Sequence, residues 1–407
     1  MIKKYEKMEN WKEYRIGELV ELKQGMAINS QSNHLVSKVE TTLPLLRIAD
    51  MQAQNQVVFM KLETPLRYIA KPEDIIYTRT GQVGLVFKEQ YGVVHNNCFR
   101  VFPYDEKILS KDYLYWYLKS PSTYKWANTM AAGVAQPDLP HSTFKKLKIQ
   151  LPPLPTQHRI ASILSTYDAL IQNYKRQIAA LQSAASELYK EWFVRFRFPG
   201  YKNAKFNNGL PVGWKVEKLG EIGEIIGGGT PSTEKEEYWN GEIPWLSPAD
   251  LSDNTNIYVS KGNKNITQLG LAKSSAKMMP KDTVLLSSRA PVGYVALAKN
   301  PICTNQGFKS VVCNQSKIKP LYLYFFFKMN TNYLQSIATG ATFPELSATM
   351  MKKLKVLLPS IKLQEQFVDT ISASIIKADL LFDQITNLTT QRDLLLPRLM
   401  SGKLSVE

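Results

Sequence analysis

No apolar run in the 407 residues approaches the ~20 needed to span a membrane; the densest, LYLYFFF from Leu321, is sized for a strand or a core. Cysteine is scarce. Cys98, Cys303 and Cys313 are odd in number and fit neither a zinc site nor a disulfide framework, so a reducing cytoplasm is the expected compartment. The opening MIKKYEKMENWKEYR has no apolar h-region, and a secretory signal is not expected. The four histidines, His34, His95, His141 and His158, are scattered without ligand-pair spacing, so no bound metal is expected.

Acidic charge is also in deficit. Asp and Glu number 35 against 51 Lys and Arg, leaving +16. Such an excess favours polyanionic partners through steering and counterion release.

Catalytic signatures are missing as well. There is no Gly-x-Ser-x-Gly elbow and no cysteine in a nucleophile setting. Pro-Pro occurs only at Pro152–Pro153, so the Asn/Asp-Pro-Pro-aromatic motif of amino-methyltransferases is absent. A Pro-Asp followed by a nuclease-like Glu-x-Lys is not found. GGGTPST from Gly227 lacks the Gly-Lys-Ser/Thr ending of a phosphate loop and is not a dinucleotide fingerprint. It reads as a surface loop, or as a turn whose backbone approaches a ligand. No catalytic residue and no cofactor are expected on this chain.

What is present is a sequence written twice. WKEYRIGELVELKQG at Trp11 returns as WKVEKLGEIGEIIGG at Trp214, and PLLRIADM from Pro44 as PWLSPADL from Pro244. DIIYTRTGQVGLV from Asp74 pairs with DTVLLSSRAPVGYV from Asp282, and YLYWYLK from Tyr113 with YLYFFFK from Tyr322. NNCF from Asn96 matches NQGF from Asn305. GVAQPDLPHSTFKKLKIQLPPLPTQ from Gly133 aligns without a gap to GATFPELSATMMKKLKVLLPSIKLQ from Gly340. The period is too long for a solenoid, so the pattern predicts two like domains and a pseudo-two-fold molecule.

Each copy begins with irregular α/β text, with short β-branched runs and Gly-, Pro- and Asn-rich turns, and ends in a strand stopped by proline. A stretch without Gly or Pro follows Pro155. In it Ile160, Leu164, Tyr167, Ile171, Tyr174, Ile178, Leu181, Ala185, Leu188 and Trp192 alternate spacings of four and three. Phe367, Ile371, Ser374, Ala378, Leu381, Ile385, Leu388, Arg392, Leu395 and Leu399 keep that register in the second copy. These are heptad seams, and each predicts a long helix whose matching partner is the other helix, packed antiparallel. Ser374 and Arg392 weaken the second seam, and Pro397 should kink or end its helix near the tail.

The expected class is therefore α+β. Two tandem mixed α/β domains (1–152 and 199–359) are each followed by a long helix (153–198 and 360–407), and the helices form an antiparallel coiled coil.

Base-reading equipment sits at matching places. Arg47, Arg79 and Arg289 lie at the ends of apolar runs in turn-forming text, beside Thr80, Gln82, Ser247 and Ser288. Asn96 and Asn97 answer to Asn305 and Gln306, with Lys309 close behind; Gln136 and Thr342 lie in the GVAQPDL and GATFPEL segments. Arg can bind guanine bidentately, and Asn or Gln can bind adenine. The same residue types also contact phosphates or cap turns.

Taken together, LPVGWKVEKLGEIGEIIGGGTPST, SSRAPVGYVALA…TNQGF, TGATFPELS, LPPLPTQHRIASIL and the terminal LLLPRLMSGKL resemble the specificity subunit of type I restriction–modification systems. The likeness covers essentially the whole chain. It departs where Thr156 and Leu363 replace the usual Glu before the Gln, and where Ser360 replaces the second proline of the turn.

The resemblance implies two target-recognition domains, each reading one half of a split double-stranded DNA site. It implies helices that dock two methyltransferase subunits, and restriction subunits that complete the assembly. S-adenosylmethionine and ATP with magnesium would then sit on those partners, in the cytoplasm and off the membrane. Residues 160–192 would form a rod of about 50 Å at 1.5 Å per residue, and reading from one DNA face favours about one turn, ~34 Å, between half-sites. Two rivals make different predictions. A methyltransferase or nuclease acting alone would bind S-adenosylmethionine or cut with metal, and a duplicated scaffold would ignore DNA.

Overall fold

The computed structural model describes residues 11–133, 135–252, 254, 256–340 and 344–406. The chain forms two compact units, Met1–Ile171 with Asn387–Glu407, and Gln172–Thr386.

In the first unit, Val20–Gln24, Cys98–Pro103, Ile75–Thr78 and Val86–Phe87 make a four-stranded antiparallel sheet in that spatial order. Ile75, Ile76, Tyr77 and Thr78 are all buried because both faces of this strand are covered, so its text is continuous rather than alternating. A smaller sheet places Gly92–Val94 between Leu45–Leu46 and Ile69–Ala70. Lys12–Arg15 pairs antiparallel with Lys148–Leu151 and closes the domain. The aromatic run becomes the helix Lys111–Lys119, whose Tyr113, Leu114, Trp116 and Leu118 are buried.

The second unit repeats the plan. Its five strands run in the order Gly223–Gly227, Lys309–Cys313, Val284–Ser288, Val292–Ala298, Tyr258–Val259. Lys215–Lys218 pairs with Lys355–Leu358 as its counterpart does in the first unit. The glycines kept in both copies have a steric cause. A Cβ on Gly25 would collide with the His95 carbonyl, and one on Gly228 with the Asn305 carbonyl. Gly229 lies equally close to the Ser275–Ala276 backbone. The glycine-rich loop is therefore a packed crossing, not an ordinary surface loop.

The first long helix runs Leu154–Tyr189 and continues as a wider π-type turn over Lys190–Val194; the second runs Ile361–Met400. Pro397 is accommodated within the last turn, where the helix is about to stop, so no kink is needed earlier. Both units contain a stretch of each helix. In the first, Ile160, Ala161 and Leu164 share a core with Leu396, Leu399 and Met400. In the second, Ile178 packs with Ala378 and Leu381, while Tyr189, Trp192 and Phe193 meet the Phe367 ring. Rising numbers on one helix meet falling numbers on the other, so the helices pack antiparallel within the unit.

The seam is broader than a heptad stripe. Ile160, Leu164, Ile171, Ile178, Phe367, Ile371 and Leu381 are buried as the spacing predicts. Tyr167, Tyr174, Leu181, Leu188, Ile385, Leu388 and Leu395 are only half-buried. Tyr189, Phe193, Leu363, Ile375, Leu396 and Met400 join the cores although the spacing of four and three skips them. Each helix touches sheet-bearing domains as well as its partner, and a second contact face widens the apolar stripe.

Candidate nucleic-acid interface

In the first unit one turn gathers most of the expected residues. Thr78 ends a buried strand, and the chain turns through Arg79–Thr80 to Gly81 and Gly84, both at positive φ. The backbone N–H groups of Arg79 and Thr80 donate to the Asn97 carbonyl at 2.8 and 3.2 Å. Gly81 donates to the Pro137 carbonyl, and Leu139 donates back to the Arg79 carbonyl. The Arg79 turn, the Asn96–Asn97 turn and the Gln136 segment are thereby tied into one surface. Gln82 and Gln136 are exposed; Arg79, Thr80, Asn96 and Asn97 are half-buried.

Arg79 does not stand free. Its Nε and Nη2 donate to the two Asp138 oxygens at 3.1 and 2.6 Å, its Nη1 reaches Gln24 Oε1 at 3.4 Å, and Thr80 Oγ1 also donates to Asp138. The Arg79 guanidinium holds the Asp138 carboxyl below its ordinary range. Arg47 is held in a bidentate pair with the buried Asp50 at 2.6 and 2.9 Å. Its charge adds to the burial that keeps His95 neutral.

The second unit gathers the matching residues around a cleft of about 470 Å³ lined by Ser247, Pro248, Ala249, Arg289, Ala290, Asn305 and Gly307. Ser247 occupies the place of Arg47, and Asp250, the counterpart of Asp50, accepts from its amide and hydroxyl. Asn305 Oδ1 accepts from the Gly307 amide, which shapes the turn and leaves the Gln306 side chain exposed beside the Thr230 hydroxyl. Glu345 lies 3.8 Å from Arg289 Nη1 and 3.1 Å from Lys309 Nζ. Ser288 departs from expectation. It is buried and donates its hydroxyl to the Gly307 carbonyl, so it fastens the turn rather than facing outward. Thr342 lies outside the described residues.

Sequence reasoning passed over Asp138, Glu345 and Gln24. A signal for the first two was available, since the gapless PDL/PEL alignment keeps an acid at one place in both copies. Among the described residues no cluster of His, Cys, Asp and Glu could hold a metal, and no helix is long and apolar enough to cross a membrane.

The duplication has its parallel in a known family. A model of the type I restriction modification DNA specificity domain matches residues 8–183 and again 211–389. The chain belongs to this family. The two matches fall on the two copies, and the chain is a specificity subunit of a type I restriction–modification system. The MjaIX specificity subunit of Methanocaldococcus jannaschii is 42% identical over 183 residues, 44% of this chain and 42% of that relative. The HindI specificity subunit of Haemophilus influenzae is 22% identical, with 98% of this chain and 100% of that relative covered. In fold the specificity subunit resembles the crystal structure of the S subunit from M. genitalium, with a TM-score of 0.62, 18% identity and 96% of each chain covered.

Proposed function

We propose that each recognition domain of this specificity subunit reads one half of a bipartite, asymmetric double-stranded DNA site, and that the two long helices set the spacer. The observation that carries the reading is the duplicated constellation. An Arg at the end of a strand, an amide-bearing turn and an acid-bearing segment recur at aligned places with different neighbours, Thr80 and Asn97 in one copy against Ala290 and Gln306 in the other. Matching scaffolds with unlike polar tips suit two different half-sites.

Lys and Arg in excess supply phosphate contacts, which hold register and make binding salt-dependent. On this reading the chain catalyses nothing. The helices dock two methyltransferase subunits that bring S-adenosylmethionine, and restriction subunits bring ATP and magnesium.

The test is a heptad insertion into both helices, followed by methylation mapping in cells carrying the rest of the system. Seven residues add about 10 Å at 1.5 Å each, so the unread spacer grows by about three base pairs at ~3.4 Å per base pair while both half-sites keep their sequences. An unchanged spacer refutes the ruler. Loss of all site preference in the unaltered chain refutes the DNA reading.

A further inference from the structure

We propose that Asp138 is a positioning residue for base recognition: it holds the reading arginine Arg79 so that its outer fork faces DNA and its charge is not spent on phosphates. The inference rests on the DNA reading above and assigns a role to one acid within it.

The geometry is explicit in the first unit. A guanidinium has a side-on edge, made by Nε–H and one Nη2–H, and an end-on edge, made by the outer N–H groups of Nη1 and Nη2. Asp138 takes the side-on edge through both of its oxygens, at 3.1 and 2.6 Å. The end-on edge is the fork that binds guanine O6 and N7 bidentately; of its two nitrogens Nη1 has one long contact, to Gln24 Oε1 at 3.4 Å, which a base edge would displace.

Asp138 is itself held. Thr80 donates to it, and its backbone pairs both ways with Ala132, N–H to carbonyl at 2.8 Å and carbonyl to N–H at 2.9 Å. The arginine is thus pinned to a strand-tied backbone, with side chains 23% and 34% exposed for Arg79 and Asp138. Pairing with a carboxylate also cancels the net charge that would otherwise draw Arg79 to any phosphate.

Glu345 stands at the aligned place, its backbone pairs both ways with Thr339, and it is shared between Arg289 and Lys309. Arg289 also lines the second unit's cleft with Ser247 and Asn305. The side-on clamp is therefore confined to the first unit: Glu345 hydrogen-bonds Lys309 and approaches Arg289 only at Nη1, 3.8 Å away.

The experiment uses the full chain assembled with the methyltransferase subunits of its system, selecting binders from a random duplex library at several salt concentrations. The unaltered complex yields a two-part consensus. Asp138→Asn then relaxes discrimination at one base position of one half-site, by about tenfold, leaves the other half intact and steepens the salt dependence by about one counterion. Asp138→Glu restores part of the lost discrimination. The intact half-site reports that the chain is folded. An unchanged consensus with Asp138→Asn, or equal erosion of both halves, overturns the inference while the DNA reading stands. A random consensus from the unaltered complex overturns the reading itself.

Discussion

Arg392 on the second long helix donates to Asp168 on the first, inside the first unit, and Lys119 approaches the same carboxylate at 3.3 Å. At the corresponding positions of the repeat stand Ala185 and Ile375, both buried in the core of the second unit. One helix crossing is ionic and its counterpart is apolar. A polar group in a helical seam specifies register at some cost in stability, so the ion pair marks which stretch of helix belongs in which unit.

The pair is largely enclosed, with the Arg392 side chain 15% exposed and Asp168 27%. Arg392→Ala leaves the half-buried Asp168 carboxylate with Lys119 as its remaining partner and lowers the first unit's stability by about 1 kcal/mol. The double change Asp168→Ile with Arg392→Ala copies the apolar crossing and recovers most of that loss. Denaturant melts of the three proteins check this; a double variant no better than the single one contradicts it.

Gln157 and Gln364 pin the long helices to the sheets. Each is buried at its helix start, and each makes three backbone bonds. Gln157 accepts from the Ser110 amide and donates to the Ile108 and Pro152 carbonyls; Gln364 accepts from the Lys319 amide and donates to the Lys317 and Pro359 carbonyls. Replacing either with Ala removes three backbone partners, the carbonyls of the exposed Ile108 and Lys317 being reachable by water, and costs about 2 kcal/mol. Glu at the same place retains one bond and loses the two donated ones. Hydrogen exchange at Ser110 in the Gln157 variant, and at Lys319 in the Gln364 variant, reads the loss directly.

Acidification weakens the first unit through two imidazoles. Burial, helped by the Arg47 charge, lowers the pKa of His95; burial, helped by Arg79 and Lys145, lowers that of His141, whose Nε2 is buried without a partner. The unfolded chain therefore takes up protons first as pH falls below about 6.5. Stability that is complete at pH 7 declines toward pH 5, down to the folded-state values. The double variant His95→Asn with His141→Asn flattens that slope. A slope identical to that of the unaltered chain counts against the assignment.

The three thiols are quiet. Burial pushes Cys98 to about 12 and Cys303 to about 11; burial, with help from Asp282, pushes Cys313 to about 12. Only thiolate attacks electrophiles, so alkylation of the native chain at pH 8 runs more than tenfold slower than in denaturant. Rapid modification of a single cysteine in the native state would show its strand opening.

Much of this was legible in the residues. The repeat predicts two like domains, and the spacing of Ile160, Leu164 and Ile171 predicts a buried helix face, because periodicity is a local property of the chain. Tyr189, Phe193 and Met400 escape that reading, since their burial comes from residues far away in sequence: the Tyr322 and Phe367 rings for the first two, the core around Ile16 and Val20 for Met400. The Arg79 turn can be found from its composition, but its pairing with Asp138 spans 59 residues and depends on loop closure. Ser288 misleads for a related reason: a hydroxyl beside an arginine looks outward until Gly307 is known to lie behind it.

Leu396, Leu399 and Met400 fill the same core as Ile16, Val20 and Tyr77. The first of the two domains to be made is thus finished by residues made after the whole of the second. Until then its apolar floor stays open to water while the second domain is being made and packed. A message cut short before residue 387 would release a protein with that floor uncovered, a ready target for quality-control proteases.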